Sequence, residues 1–68
     1  MDEILGERIK DVRKRKGMTQ EVFAREIGIS RSYLGDLENN RKSLNLVTLR
    51  KIAAQMNVSV SYLIGEDN

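Results

Sequence analysis

Apolar residues recur along this chain at steps of three and four, the spacing of one face of an α-helix. Leu5, Ile9 and Val12 begin the pattern, and Gly17 closes the first segment. The most regular stretch comes later, where five apolar residues form one stripe: Leu46, Leu49, Ile52, Ala53 and Met56. This stripe predicts an amphipathic helix whose apolar face, Leu46 included, lies in the core.

Residues suited to helix ends divide the pattern into five short segments. Three side chains that can serve as N-caps each precede an apolar stretch, namely Thr19, Ser30 and Ser59, and a further segment begins near Asn45. The stops fall on residues that accept a left-handed backbone, namely Gly17, Gly28, the pair Asn39-Asn40, Asn57 and Gly65. Because no stretch alternates as a strand would, the sequence predicts an all-α fold. We expect a compact five-helix bundle over residues 1–65 with a frayed tail at 66–68.

Composition narrows the class of protein. The chain has 68 residues, enough for one small domain whose core gives marginal stability unless association adds to it. It has no cysteine and no histidine, which removes disulfides, thiolate metal sites and the commonest acid-base side chain. We therefore expect no enzyme activity, no catalytic residue, no metal and no cofactor.

Hydropathy and charge bear on location and partner. No apolar run approaches the roughly 20 residues needed to cross a bilayer, and the start Met1-Asp2-Glu3 lacks the positive charge of a secretory signal. These features predict a cytoplasmic protein without a membrane partner. The 12 Lys and Arg residues against 10 Asp and Glu residues give a net charge of +2, which slightly favours a polyanionic partner.

The stretch from residue 20 to 39 combines two short helices with a turn built on one glycine. Ala24 offers a small side chain where the helices approach each other, and Gly28 supplies the turn. Apolar residues on both sides of the turn can fix the second helix against the first: Phe23, Ile27, Ile29, Leu34 and Leu37. The second helix would then present its polar face outward to a partner.

This stretch resembles the helix-turn-helix of the Cro/CI family, also called the XRE family, and the resemblance covers nearly the whole chain. Further matching segments are RKRKGMTQ at 13–20, Leu37-Glu38-Asn39, LRKIAA at 49–54, Val58-Ser59 and Leu63-Ile64. The resemblance implies a lambda-repressor-like domain of five helices that binds duplex DNA, similar to phage repressors, Gram-positive repressors and restriction-modification controller proteins. Two positions depart from the family pattern: Asn40 stands where glycine is common, and Leu44 where proline is frequent.

The outward face of the second helix carries the candidates for base contacts. Arg31 can bond both O6 and N7 of guanine, and Asp36 can accept from the amino group of cytosine. Ser32 shares a face with Asp36, and Tyr33 can contact a thymine methyl or a phosphate. Alternatives remain for three of them: Arg31 as a phosphate contact or a solvated arginine, Asp36 in a surface ion pair, and Tyr33 as a packing residue. Glycine lowers the stability of a helix, so Gly35 should have a compensating role, and we expect that role to be a close approach of DNA.

Residues that flank this helix are placed to hold phosphates on both sides of a groove. The candidates are Gln20 at the start of the preceding helix and, beyond the second helix, Asn39, Arg41, Lys42 and Ser43. A short charged run is also what an ordinary solvated loop contains, so that alternative stays open for Arg41 and Lys42.

The resemblance implies two structural features as well. Arg13 lies at the edge of an apolar face, where an unpaired charge is costly, and the family pattern implies a buried ion pair between Arg13 and Glu38. It further implies a dimer surface made from the last helix and the loop before the fourth: Leu44, Val60, Tyr62 and Ile64. These apolar side chains could instead complete the small core.

The resulting hypothesis is a sequence-specific transcriptional regulator that binds a roughly palindromic operator as a homodimer and takes no small-molecule ligand. One alternative is a protein-binding module such as an antirepressor, whose partner would dock on the same helical face with weak salt dependence. A second is an RNA-binding domain, which the aromatic content of 4% disfavours because few rings are available for base stacking.

Overall fold

A computed structural model describes residues 2–43 and 45–65 of the chain, with side chains from Leu5 onward. It contains five helices: α1 (Asp2–Arg15), α2 (Gln20–Ile27), α3 (Arg31–Glu38), α4 (Leu46–Met56) and α5 (Val60–Leu63). No strand occurs in these two ranges. The predicted all-α, five-helix fold is confirmed, and none of the described helices is long and apolar enough to cross a membrane.

Each of the helices α2 to α5 begins at a side chain that accepts a backbone N–H. The oxygens of Thr19 and Ser30 accept from the amides of Val22 and Tyr33, at 3.1 and 3.0 Å. Asn45 and Ser59 do the same for α4 and α5, at 2.8 and 3.0 Å. Each bond satisfies one of the amides that a helix start leaves without an intrahelical partner. The three predicted N-caps are confirmed, and the helix expected to begin near Asn45 is capped by that residue.

The turn between α2 and α3 depends on Gly28. Its backbone has φ of 79°, a left-handed conformation that costs glycine little because it has no Cβ. The amide of Ile29 donates back to the carbonyl of Ala24 at 3.0 Å, which closes the end of α2. Two residues later Ser30 caps the start of α3, so only three residues separate the two helices, which pack against each other.

The core takes at least one large, fully buried apolar side chain from every helix. In chain order these are Ile9, Phe23, Leu34, Ile52 and Leu63. Helix α1 packs on α3, α4 and α5, while α2 packs on α3 and α4. Because each helix covers a part of the same core, burial of apolar surface stabilises all five together rather than any one alone.

One residue of the predicted apolar stripe on α4 is not in the core. Leu46 is 55% exposed, although Ile52, Ala53 and Met56 are buried as predicted, and Leu49 is half-buried. Leu46 is the first residue of α4, and the helix first contacts the core at Thr48, which is buried. The expectation of a core position for Leu46 was therefore wrong, because helical periodicity does not report where along its length a helix meets the rest of the domain.

Candidate nucleic-acid interface

Helix α3 has one face in the core and one in solvent. Leu34 and Leu37 are buried on the inner face, against α1 and α2. On the outer face Arg31 and Ser32 are exposed, and Tyr33 is half-buried. The packing of α3 against α2 across the Gly28 turn, which we call the elbow, holds α3 at the surface with its first turn outward. A helix that enters a major groove makes base contacts through this first turn.

Asp36 and Arg41 contact each other in the protein without DNA. The guanidinium of Arg41 lies 4.0 Å from the Asp36 carboxylate, and the Arg41 amide donates to the Asp36 carbonyl at 2.8 Å. The side chain of Arg41 is largely exposed, so the ion pair contributes little to stability. This is the arrangement that the alternative reading of Asp36 expected, and a base contact by Asp36 remains a prediction.

The segment 41–43 follows α3 closely. We call it the phosphate loop because the sequence predicts contacts with DNA phosphates for all three of its residues; it is not a nucleotide-binding P-loop. Arg41, Lys42 and Ser43 are all exposed, and the Tyr33 hydroxyl donates to the Ser43 carbonyl at a long 3.4 Å. Asn39 is also exposed, and its side-chain nitrogen donates to the Gly35 carbonyl at 2.9 Å. The loop therefore lies beside the outer face of α3 with its cationic groups in solvent, as contact with a polyanion requires.

Gln20 has a partner that the sequence did not indicate. Its side-chain nitrogen donates to an oxygen of Glu38 at 3.0 Å, and the residue is half-buried at the start of α2. The bond joins α2 to the end of α3, so Gln20 has a structural role in addition to the phosphate contact predicted for it. No sequence signal pointed to this bond, because it depends on how the two helices cross.

The ion pair implied between Arg13 and Glu38 is present and buried. Two nitrogens of Arg13, Nε and Nη2, donate to the two Glu38 oxygens at 2.6 and 3.0 Å. The remaining terminal nitrogen donates to the carbonyl of Met18 at 2.8 Å. Such a bidentate pair joins α1 to α3 in a fixed geometry. Every described buried side-chain nitrogen and oxygen has a hydrogen-bond partner.

Gly35 has room for a small side chain without a clash. A Cβ built at this position would have its nearest contacts at 3.8 and 3.9 Å, both with the side-chain amide of Gln20. These are ordinary van der Waals distances, so packing inside the domain does not require glycine here. The prediction that DNA approaches closely at Gly35 is compatible with this geometry and remains a prediction.

The predicted dimer residues differ in their surroundings. Val60 and Tyr62 are half-buried against the core, and the Arg8 guanidinium lies 4.4 Å from the centre of the Tyr62 ring. Ile64 is 39% exposed, whereas Leu44 lies outside the described residues. Sequence reasoning missed Val47, which is 65% exposed beside Leu46 at the start of α4. Among the described residues, the exposed apolar side chains therefore involve α4 more, and α5 less, than the sequence indicated.

The geometry of α3 and of the loop that follows it defines a class of protein. A short helix with a polar outer face is fixed by a glycine turn and a buried ion pair, and exposed cationic groups follow it. This is the arrangement of a helix-turn-helix DNA-binding domain of the kind found in transcriptional regulators. Comparison with known families agrees: the helix-turn-helix family model matches residues 9–63, and the chain belongs to this family.

Individual relatives include phage and bacterial regulators. The immunity repressor protein of Bacillus phage phi105 is 40% identical over 63 residues, which cover 93% of this chain and 44% of the repressor. Control protein C.MunI of Mycoplasma is 36% identical over 62 residues, or 90% of this chain and 84% of its own length. The chain thus spans less than half of the phage repressor.

A solved structure adds a protein-DNA complex to these relatives. SinR, a master regulator for biofilm formation crystallised with DNA, superposes with a TM-score of 0.83 at 36% identity. The match covers 88% of this chain and 97% of the SinR chain. The resemblance to phage repressors and to controller proteins that the sequence indicated is confirmed.

Proposed function

We propose that residues 1–65 form one domain that binds duplex DNA sequence-specifically and regulates transcription, with α3 in the major groove. The observation that carries this proposal is the outer face of α3, exposed at Arg31 and Ser32 and backed by a fixed elbow. The SinR complex with DNA supports it, because this chain matches that structure over 88% of its length. The family consists of DNA-binding regulators rather than enzymes, and the proposed site of action is the cytoplasm.

The proposal assigns base contacts to the first two turns of α3. Arg31 binds O6 and N7 of a guanine through its planar guanidinium group. The Ser32 hydroxyl adds a hydrogen bond to a base edge and does not discriminate strongly between bases. Tyr33 contacts a thymine methyl. Asp36 accepts from a cytosine amino group once Arg41, its present partner, has turned to a phosphate. The exchange of partners at Asp36 replaces a weak ion pair with two contacts to DNA.

Phosphate contacts are assigned to the residues on both sides of α3. Arg41, Lys42 and Ser43 of the phosphate loop hold one strand together with Asn39, and Gln20 at the start of α2 reaches the other side of the groove. Neutralising phosphates releases condensed counterions, so the affinity should fall steeply as salt concentration rises. A protein-binding module would lack this steep dependence.

We further propose that two copies bind together to a roughly palindromic operator. Helix-turn-helix dimers place their recognition helices in successive major grooves about 34 Å apart, and the symmetry of the protein then appears in the site. The exposed side chains of Leu46, Val47 and Ile64 supply apolar surface for association. Repression or activation follows from where the operator lies relative to a promoter.

Selection of bound sequences from random duplexes, at two salt concentrations, tests this function. We expect enrichment of one motif with inverted half-sites and an affinity that decreases with salt. Arg31→Ala should cost about 1–3 kcal/mol of binding free energy and relax the preference at one base pair. The matched control is Arg25→Ala, since Arg25 is also exposed on a helix but lines the groove between α2 and α4.

Two outcomes would contradict the proposal. One is the absence of any enriched motif together with salt-independent binding, which would favour a protein partner. The other is an equal loss of affinity in Arg31→Ala and Arg25→Ala with no change of motif, since a general loss of positive charge would explain it.

A further inference from the structure

The backbone of α1 meets the end of α3 at Gly6. The Gly6 amide donates to the side-chain oxygen of Asn40 at 3.1 Å, across 34 positions of sequence. A Cβ at Gly6 would lie 2.5 Å from that oxygen, and 2.6 and 2.8 Å from the carbonyl oxygens of Glu38 and Leu37. Only a residue without a side chain permits this approach, so Gly6 and Asn40 form a contact that is specific to this pair.

Asn40 also closes the end of α3, which is the recognition helix of the proposed DNA-binding function. Its backbone is left-handed, with φ of 59°, and its amide donates to the Leu37 carbonyl at 3.2 Å. The next amide, that of Arg41, donates to the Asp36 carbonyl at 2.8 Å. These two bonds form the Schellman arrangement that closes many helices, and glycine at the left-handed position would close it equally well. The hydrogen bond to Gly6 is therefore an additional property of asparagine.

The position of Asn40 places this contact immediately before the phosphate loop. Glu38 holds α3 to α1 through Arg13, but that ion pair precedes the left-handed turn. The direction in which the chain leaves the turn is set at Asn40, and the exposed residues of the loop follow it directly. A second attachment to α1 at this point restrains the loop rather than the helix.

We propose that Asn40 is a positioning residue for DNA binding: its side-chain oxygen, bound to the Gly6 amide, holds the phosphate loop in the place where it contacts DNA. Asn40 needs no contact with DNA to do this. A restrained loop loses less conformational entropy on binding than a free one, so affinity rises without any new contact to the ligand. The inference rests on the DNA-binding function proposed above and adds the restraint of its phosphate contacts.

The test compares Asn40→Gly with the unchanged protein. Glycine keeps the left-handed turn and removes the whole Asn40 side chain, including the oxygen that accepts from Gly6, so folding should persist. NMR order parameters report picosecond-to-nanosecond motion of the backbone. In the protein without DNA, the order parameters of residues 41–43 should be lower in Asn40→Gly than in the unchanged protein. Asn40→Asp retains an acceptor oxygen for Gly6, and its order parameters should stay at those of the unchanged protein.

Affinity is measured with a mixed-sequence duplex at low salt, so that no operator needs to be known. Loss of one hydrogen bond should raise Kd about threefold to tenfold in Asn40→Gly. The control is Asn57→Gly, the same substitution at the other left-handed asparagine, φ of 59°, at the end of α4. That variant should bind with an unchanged Kd.

The inference is overturned by unchanged order parameters at residues 41–43 in Asn40→Gly, or by a Kd ratio that Asn57→Gly reproduces. If the unchanged protein binds no duplex at all, the proposed function fails as well, and the order parameters still decide whether Asn40 restrains the loop. The failures of the two proposals are thus distinguished by separate measurements.

Discussion

Glu38 joins three helices through one buried carboxylate. Its oxygens accept from Arg13 of α1 and from Gln20 of α2, while the residue itself belongs to α3. The side chain is fully buried, so both oxygens depend on these partners instead of water. A buried pair of this kind adds little compared with apolar packing, but removing one partner leaves an uncompensated charge. The position of the recognition helix is therefore sensitive to this single residue.

Glu38→Ala should lower the free energy of unfolding by about 3–5 kcal/mol, because Arg13 would remain buried without its partner. That is a large part of the stability of a small domain, and chemical denaturation measures it. Glu21→Ala is the control, since Glu21 is 73% exposed and lies 3.9 Å from an exposed arginine. Glu38→Gln, which keeps one acceptor oxygen, should fall between them, and equal midpoints for Glu38→Ala and Glu21→Ala would contradict the argument.

Only some of the side-chain bonds at the end of α3 were predictable from the sequence. Arg13 could be singled out because a charge beside the apolar positions Ile9 and Val12 needs a partner, and the family resemblance then pointed to Glu38. The bonds of Gln20 and Asn40 were not predicted. Both join segments far apart in sequence through one side-chain atom, and their geometry follows from the crossing of helices, which no local pattern encodes.

At the scale of elements, the helix limits were predictable because their causes are local. A capping side chain acts within three residues, and the stops depend on single residues that accept positive φ, such as Gly28 and Asn40. Exposure was less predictable. Periodicity assigned Leu46 to the core, but coverage of a helix end depends on which neighbouring elements reach it.

Two glycines within helices give a matched pair of substitutions. Gly6→Ala should lower the free energy of unfolding by about 1–3 kcal/mol, because its methyl would collide with backbone carbonyls at the end of α3. Gly35→Ala should raise it by up to about 1 kcal/mol, because alanine favours the helix and has room there. Thermal or chemical unfolding measures both, and changes of the same sign would refute the assigned contacts.

Gly35→Ala also tests the expected close approach of DNA. If DNA approaches the backbone closely at Gly35, the added methyl would take up space in the complex, so affinity for the selected operator should fall although the free domain is more stable. Titration of the operator by fluorescence anisotropy measures this effect. An operator affinity equal to that of the unchanged protein would mean that the glycine has no part in recognition.

At the scale of the whole molecule, the dimensions suit a pair of domains on one side of a duplex. The domain extends 30 × 23 × 20 Å, so two copies side by side can reach successive major grooves about 34 Å apart. The exposed apolar side chains of Leu46, Val47 and Ile64 are the surface that we propose such a pair to cover. For a domain with so small a core, burial of this surface would add useful stability.

Val47→Glu should weaken the dimer and leave the fold intact, since a carboxylate in the first turn of α4 is favoured by the helix dipole. Sedimentation should show more monomer, and affinity should drop for a palindromic operator but not for a duplex with one half-site. Ala54→Glu, at an exposed position in the groove between α2 and α4, is the control. Identical sedimentation of the two variants would argue against an interface at the start of α4.

The recognition helix has only eight residues, and it is held by a core to which every helix contributes at least one large, fully buried apolar side chain. A helix of this length does not persist alone in water. On warming, α3 should therefore not unfold and release DNA while the rest of the domain stays folded. Operator occupancy and global folding should be lost in a single cooperative transition, which makes any core-weakening substitution a temperature-sensitive allele of the regulator.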